Sequence, residues 1–169
     1  MTTFNLRTAR LRPGEERRYR VAVELEPFGL GGERYAPEPS APEAELGLTR
    51  VASGTMFELA FTARLHGPCV RCLAPAELSV RVRDRQYQAA SPEGDETVVP
   101  YLEDDRLDLS RWAHDAVALE VPEKILCRSD CAGLCPGCGA NLNVEACRCE
   151  PAGADPRWDK LAELRERLA

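Results

Sequence analysis

Eight cysteines carry the chemistry open to this chain, and six of them fall between Cys127 and Cys149. Two thiolates separated by two residues can clamp one tetrahedral ion. The turn between them aims both sulfurs at a common centre, and small residues inside it let backbone N–H groups stabilise the charge. Cys135-Pro-Gly-Cys138-Gly is such a turn, and Cys147-x-Cys149 supplies a second pair within loop-closing distance. Cys135, Cys138, Cys147 and Cys149 therefore read as a four-thiolate zinc site. Cys69, Cys72, Cys127 and Cys131 remain as a possible second site, so one or two structural Zn2+ are expected. Spacing alone also allows Cys127, Cys131, Cys135 and Cys138 to share one ion. It further allows an iron–sulfur reading, because Cys131-x3-Cys135-x2-Cys138 has the spacing by which radical-SAM enzymes hold a cluster. The bland reading is a set of incidental free thiols, but such density without metal would invite oxidation.

The elements that must position these sulfurs are legible in part. Phe57, Leu59, Phe61, Ala63 and Leu65 alternate with polar or small residues, as do Leu78, Val80 and Val82. The spacing predicts two long antiparallel strands, about 55–65 and 76–89, with Cys69 and Cys72 at the tip of the hairpin. Arg17 to Leu25 alternates as a half-buried strand with a basic outer face. Leu46 to Ala52 and Val98 to Leu102 read as shorter strands, and Glu103-Asp-Asp105 as a solvated acidic turn. Pro27 to Pro42 is rich in Pro and Gly and reads as loop or irregular edge. Leu109, Trp112, Ala113, Ala116 and Val117 recur at helical spacing behind a cap at Asp108 or Ser110 and ahead of Pro122. Asp155-Pro156 opens a terminal helix, 156–168, whose apolar stripe is Trp158, Leu161, Leu164 and Leu168. The expected fold is α+β: a mostly antiparallel, barrel-like sheet with a packing helix at 109–121, a zinc-knuckle segment and the terminal helix. Two units are expected, 1–122 and 123–169.

Composition excludes several classes of function. The 169 residues are 44% hydrophobic and 30% charged, ordinary for a globular protein, and no apolar run reaches the ~20 residues that span a bilayer. The N-terminus lacks the features of a secretory signal, so a cytoplasmic protein with no membrane partner is expected, and a reducing compartment favours metal over disulfides. A net charge of -6 argues against indiscriminate nucleic-acid binding, but the charge is uneven: residues 1–20 hold six Arg against Glu15 and Glu16. No phosphate loop, dinucleotide fingerprint or G-x-S-x-G nucleophile motif occurs, so neither an enzyme nor a small-molecule substrate is expected. His66 flanks the hairpin tip as a spare ligand or RNA contact, and His114 lies on the helix as a surface or half-buried residue.

The tip Gly-Pro-Cys69-Val-Arg-Cys72-Leu-Ala-Pro, the segment Asp108 through Pro122, the run Leu126 through Asn143 and Asp155-Pro-Arg-Trp together resemble the YceD-like family of bacteria and plastids. Its members are described as large-subunit ribosomal RNA accumulation proteins, formerly a domain of unknown function. The likeness spans about residues 50–165. It implies a non-enzymatic factor supporting synthesis, processing or stability of large-subunit rRNA, with rRNA or a pre-ribosome as partner. Some relatives lack the C-terminal cysteines, which implies that metal there is structural. Arg18, Arg20, Arg64, Arg71, Arg81 and Arg83 fall on outward strand positions or the hairpin tip and are the expected RNA contacts. The competing class is a zinc-stabilised adaptor that grips a ribosomal or RNA-processing protein.

Overall fold

The computed structural model describes residues 1–91 and 98–149. In chain order its elements are β1 (Thr3–Asn5), β2 (Glu16–Ala22), β3 (Phe28–Leu30), β4 (Glu33–Pro37), β5 (Glu43–Val51), β6 (Gly54–Pro68), β7 (Pro75–Ala89), β8 (Leu102–Glu103), β9 (Arg106–Asp108) and the helix α1 (Leu109–Glu120). The longest strands form where the alternation is cleanest. β6 and β7 pair antiparallel in unbroken register, from Gly54 opposite Ala89 to Pro68 opposite Pro75, a ribbon of roughly 50 Å at about 3.4 Å per residue. Opposite residues share a face, so Phe57, Leu59, Phe61, Ala63 and Leu65 stand with Leu78, Val80 and Val82 on the packed side.

The other edge of β6 is divided. β5 pairs with its first half, from Val51 opposite Gly54 to Glu45 opposite Ala60, and β2 pairs outside β5. β4 takes the far half at Leu65 and His66, with β3 outside it. The expected barrel-like closure is absent: the sheet is open, with β7 at one margin, β2 and β3 at the other, and no ladder joining them among the described residues. The division of β6 explains this. Two short ribbons at different heights replace the continuous strand that would have to curl round to β7.

Closure of the inner face falls to α1 instead. It starts where the Asp108 carboxylate accepts the Arg111 N–H at 3.0 Å, and it stops at Val121 before Pro122. Leu109, Trp112, Ala113, Ala116 and Val117 are its buried residues. Trp112 is fully buried, which contributes on the order of 4 kcal/mol of apolar burial. Its indole N–H donates to Asp84 Oδ2 at 2.6 Å. Asp84 stands opposite Leu59 in the inward row, so this bond and one from Gln86 Nε2 satisfy a carboxylate the apolar face would otherwise strand. The small sheet β1-β9-β8 seats the start of the helix, with the Leu109 N–H donating to the Thr2 carbonyl at 3.0 Å.

Two expectations from the sequence change. The Pro-rich stretch 27–42 contains a hairpin, β3 and β4, turned by Gly31 and Gly32 at φ 60 and 86; two successive positive φ values are what a tight two-residue hairpin requires. The strand expected at 98–102 shrinks to Leu102–Glu103, folded onto β9 through Asp104 and Asp105, both at positive φ. The terminal helix expected at 156–168 lies outside the described residues. No described helix is long and apolar enough to cross a membrane.

Candidate functional site

The same turn is built twice. Between β6 and β7, the Leu73 N–H donates to the Cys69 carbonyl at 2.9 Å, the Arg71 N–H donates to Cys69 Sγ at 3.5 Å, and Leu73 is left-handed at φ 61. In the C-terminal segment, the Gly139 N–H donates to the Cys135 carbonyl at 2.8 Å, the Gly137 N–H donates to Cys135 Sγ at 3.4 Å, and Gly139 has φ 75. Each turn thus brings two sulfurs to one side and aims a backbone donor at the first of them.

The eight sulfurs gather into two sets, Cys69, Cys72, Cys127 and Cys131, and Cys135, Cys138, Cys147 and Cys149, with the sulfurs of each within 4.8 Å of one another. All eight are free. Cys69 Sγ lies 3.7 Å from Cys131 Sγ and Cys72 Sγ 3.5 Å from Cys127 Sγ; in the second set Cys147 Sγ lies 3.5 Å from Cys138 and 3.2 Å from Cys135. A tetrahedral zinc with bonds of about 2.3 Å to sulfur has edges of roughly 3.8 Å, so both sets could hold a metal ion with little adjustment. The grouping separates Cys131 from Cys135 and Cys138. Neither the alternative partition nor the radical-SAM-like triplet is therefore assembled.

The first set favours the thiolate at Cys69 and Cys131 and penalises it at Cys72 and Cys127; the second favours it at Cys135 and penalises it at Cys147 and Cys149. Burial pushes the Cys69 thiol up, but backbone N–H groups of Cys127, Cys72 and Arg71 outweigh it and hold Cys69 at about 6. The Cys138 N–H, the Cys147 thiol and the Gly137 N–H bring Cys135 to about 6. The Cys72 sulfur, with burial added, pushes Cys127 up to about 12, and the Cys147 sulfur does the same to Cys149. Four sulfurs this close cannot all be anionic unaided; a bound divalent cation removes the repulsion.

The first set fastens the hairpin tip to the segment after α1. The Val70 N–H donates to the Ile125 carbonyl at 3.0 Å, and Arg71 Nη1 donates to the Cys131 carbonyl at 2.7 Å. Gly133, at φ 82, lies against Arg71, where a Cβ would meet its carbonyl oxygen at 3.2 Å. Arg71 therefore belongs to this fastening, apart from the other five expected RNA contacts. Asn143 takes part as well: Nδ2 donates to Cys131 Sγ at 3.4 Å, and Oδ1 accepts the Ala132 N–H at 2.8 Å. Spacing alone gives Asn143 no role; its place at the end of the run Leu126–Asn143, among the cysteines, is the available signal.

Register places those five arginines on one face. Arg18 stands opposite Gly47, and Arg20 opposite Glu45, which faces Ala60 and then Arg83. Arg81 stands opposite Thr62, and Arg64 opposite Ser79. Arg85 and Arg34 share this outer face and were missed, although Arg85 continues the alternation of Arg81 and Arg83. Part of the charge is neutralised: Arg83 and Arg85 pair with Glu58 at 3.0 and 2.6 Å, and Arg18 pairs with Glu16 and Glu45 at 2.8 and 2.5 Å. The Arg85 and Arg83 guanidiniums hold the Glu58 carboxyl below its usual range despite partial burial. Arg20, Arg34, Arg64 and Arg81 form no ion pair among the described residues. His66 lies on the same face, 3.7 Å from Glu38, and His114 stacks on Phe28 at 4.4 Å; neither joins a sulfur set.

The family model described as large ribosomal RNA subunit accumulation protein YceD matches residues 57–165. The chain belongs to the YceD family. Among its relatives, an uncharacterised protein of Mycobacterium tuberculosis is 34% identical over 144 residues, covering 82% of this chain and 69% of that protein. A Mycobacterium leprae protein, also uncharacterised, is 33% identical over 141 residues, 80% of this chain and 64% of its own. The Arabidopsis thaliana protein named large ribosomal RNA subunit accumulation protein YCED homolog 1, chloroplastic, is 39% identical over 62 residues, 37% of this chain and 19% of its own. No solved structure matches.

Proposed function

We propose that this YceD-family chain is a zinc-stapled, non-enzymatic factor that supports accumulation of large-subunit rRNA by contacting rRNA or a pre-ribosomal particle through the outer face of its sheet. The family and the name of its plastid relative supply the process. The observation that carries the contact is the register that gathers Arg18, Arg20, Arg64, Arg81 and Arg83 on one face, with Arg34 and Arg85 beside them. A donor set of four thiolates suits zinc, which brings no redox chemistry and serves here to fix the chain. Among the described residues, Arg20, Arg34, Arg64 and Arg81 are the phosphate contacts this face offers without breaking an ion pair. Four such contacts predict a slope of about -3 in log affinity against log salt.

Crosslinking in cells followed by RNA sequencing tests this reading. Enrichment of large-subunit rRNA or its precursors, lost when Arg64 and Arg81 become Glu, is the expected result; no enrichment counts against it. A protein adaptor is the second reading, favoured by apolar side chains displayed beside the cysteine turns, Leu73 at 59% and Val144 at 82% exposure. Protein partners that survive the arginine reversal while RNA is lost support the first reading. Partners lost on Leu73→Ser and Val144→Ser, with no RNA bound, support the second.

A further inference from the structure

We infer that Asn143 couples the two sulfur sets, so that an ion in the set of Cys135, Cys138, Cys147 and Cys149, called the exposed set for its open Cys138 and Cys149, raises the affinity of the set of Cys69, Cys72, Cys127 and Cys131, called the buried set for its enclosed Cys69, Cys72 and Cys131; this rests on the metal reading above. The amide is fixed from both ends. Its Oδ1 accepts from the Ala132 N–H at 2.8 Å and from Arg128 Nη2 at 2.9 Å, both obligate donors. Its Nδ2 must then face the two acceptors it meets, Cys131 Sγ at 3.4 Å and Asn141 Oδ1 at 2.8 Å. An N–H donor on a ligating sulfur stabilises the charged form the ion needs and fixes the direction of the ligand. Cys131 is fully buried, as is Cys69, whose sulfur it meets at 3.7 Å.

The position of Asn143 depends on the other set. Leu134 bridges to Asn141, the Cys135 N–H donates to the Ala140 carbonyl at 2.8 Å, and the Leu142 N–H donates to the Gly133 carbonyl at 3.0 Å. This small loop is closed at its tip by Cys135 and Cys138 and anchored beyond it by Cys147, 3.2 Å from Cys135. An ion on Cys135, Cys138, Cys147 and Cys149 orders the loop from which Asn143 reaches back to Cys131. Binding linkage is reciprocal, so an ion in the buried set favours loading of the exposed set by the same factor.

The test uses the full chain at a series of free zinc levels set by a chelator, with differential alkylation and peptide mapping to read protection of each cysteine. Cys138→Ser with Cys149→Ser moves half-protection of Cys69, Cys72 and Cys131 to about tenfold higher zinc, and Asn143→Ala does the same with the exposed set still loaded. Combining them adds little beyond either, because both remove one interaction. Asn143→Asp keeps the acceptor for Ala132 and Arg128 but loses both N–H bonds, to Cys131 and to Asn141, so it weakens the buried set at least as much as Ala. Asn141→Ala removes the bonds between Asn141 and Asn143 and leaves the N–H to Cys131, so it should shift the buried set by less than twofold; a shift as large as that of Asn143→Asp overturns the donor role. Buried-set midpoints within twofold of wild type in the serine and alanine variants, or additive shifts in the combination, overturn the coupling. Wild-type protein with no zinc-dependent protection in either set overturns the metal reading itself, and the coupling with it.

Discussion

The two sulfur sets have the same donors and the same turn but close very different stretches of chain. Cys69 meets Cys131 across 62 residues and Cys72 meets Cys127 across 55, with Cys69, Cys72 and Cys131 buried. Cys138 meets Cys147 across nine residues and Cys135 meets Cys147 across 12, with Cys138 and Cys149 exposed. Closing the longer loop removes more freedom from the unfolded chain. The first set spans the fold, and the second borders a surface loop; residue type alone does not tell them apart.

Breaking the first set should have the larger effect. Cys131→Ser is expected to cost one ion and lower the thermal midpoint by on the order of 10 °C, read by native mass spectrometry and calorimetry. Cys149→Ser is expected to cost one ion as well but to lower the midpoint by no more than about 5 °C; equal losses from the two variants would erase the contrast. Acid should not distinguish the sets. Cys69 and Cys135 are each held to about 6, whereas Cys127 and Cys149 are each pushed up to about 12, so an ion must expel protons from the raised thiols at any pH below about 12 and meets no thiolate at Cys69 or Cys135 once pH falls through about 6. At limiting zinc, occupancy of both sets should therefore decline together as pH falls from neutral toward about 6, as followed by differential alkylation; release of the exposed ion alone would make burial the deciding factor.

The smallest effects come from the left-handed residue that ends each turn. Gly139 has open space around its Cα, so Gly139→Leu meets only backbone strain and should cost about 1–2 kcal/mol in denaturant unfolding. Leu73 carries that strain already, and Leu73→Gly should recover less than about 1 kcal/mol, because Gly also frees the unfolded chain.

What could be read from sequence divides along similar lines. The β6–β7 hairpin and the helix after Asp108 were legible because each announces itself locally, through period-2 alternation and through a cap followed by a helical stripe. The partition of the cysteines was left open, since Cys72 finds Cys127 only after 55 residues have been folded into place. The β3–β4 hairpin was hidden because Pro37 and Pro39 outweighed Gly31-Gly32, and the short pairing of Thr3–Asn5 with Arg106–Asp108 has too few residues to show a period. Arg71 illustrates a different limit: its exposure was predictable, but not that its guanidinium is spent on the Cys131 carbonyl.

The adjacency of β6 and β7 in the chain, with α1 following only later, also sets an order in time as the chain leaves the ribosome. Once residue 89 has emerged, β6 and β7 can zip as neighbours in sequence, and Arg64, Arg81 and Arg83 already stand on one face. The reverse of that ribbon, with Phe57, Leu59 and Phe61, has no lid until α1 is complete at Glu120, and its tip has no fastening until Cys131 arrives. Vectorial synthesis therefore delivers the charged face first and leaves the apolar back open for another 31 residues, the interval in which a nascent chain is most prone to stick to the wrong surface.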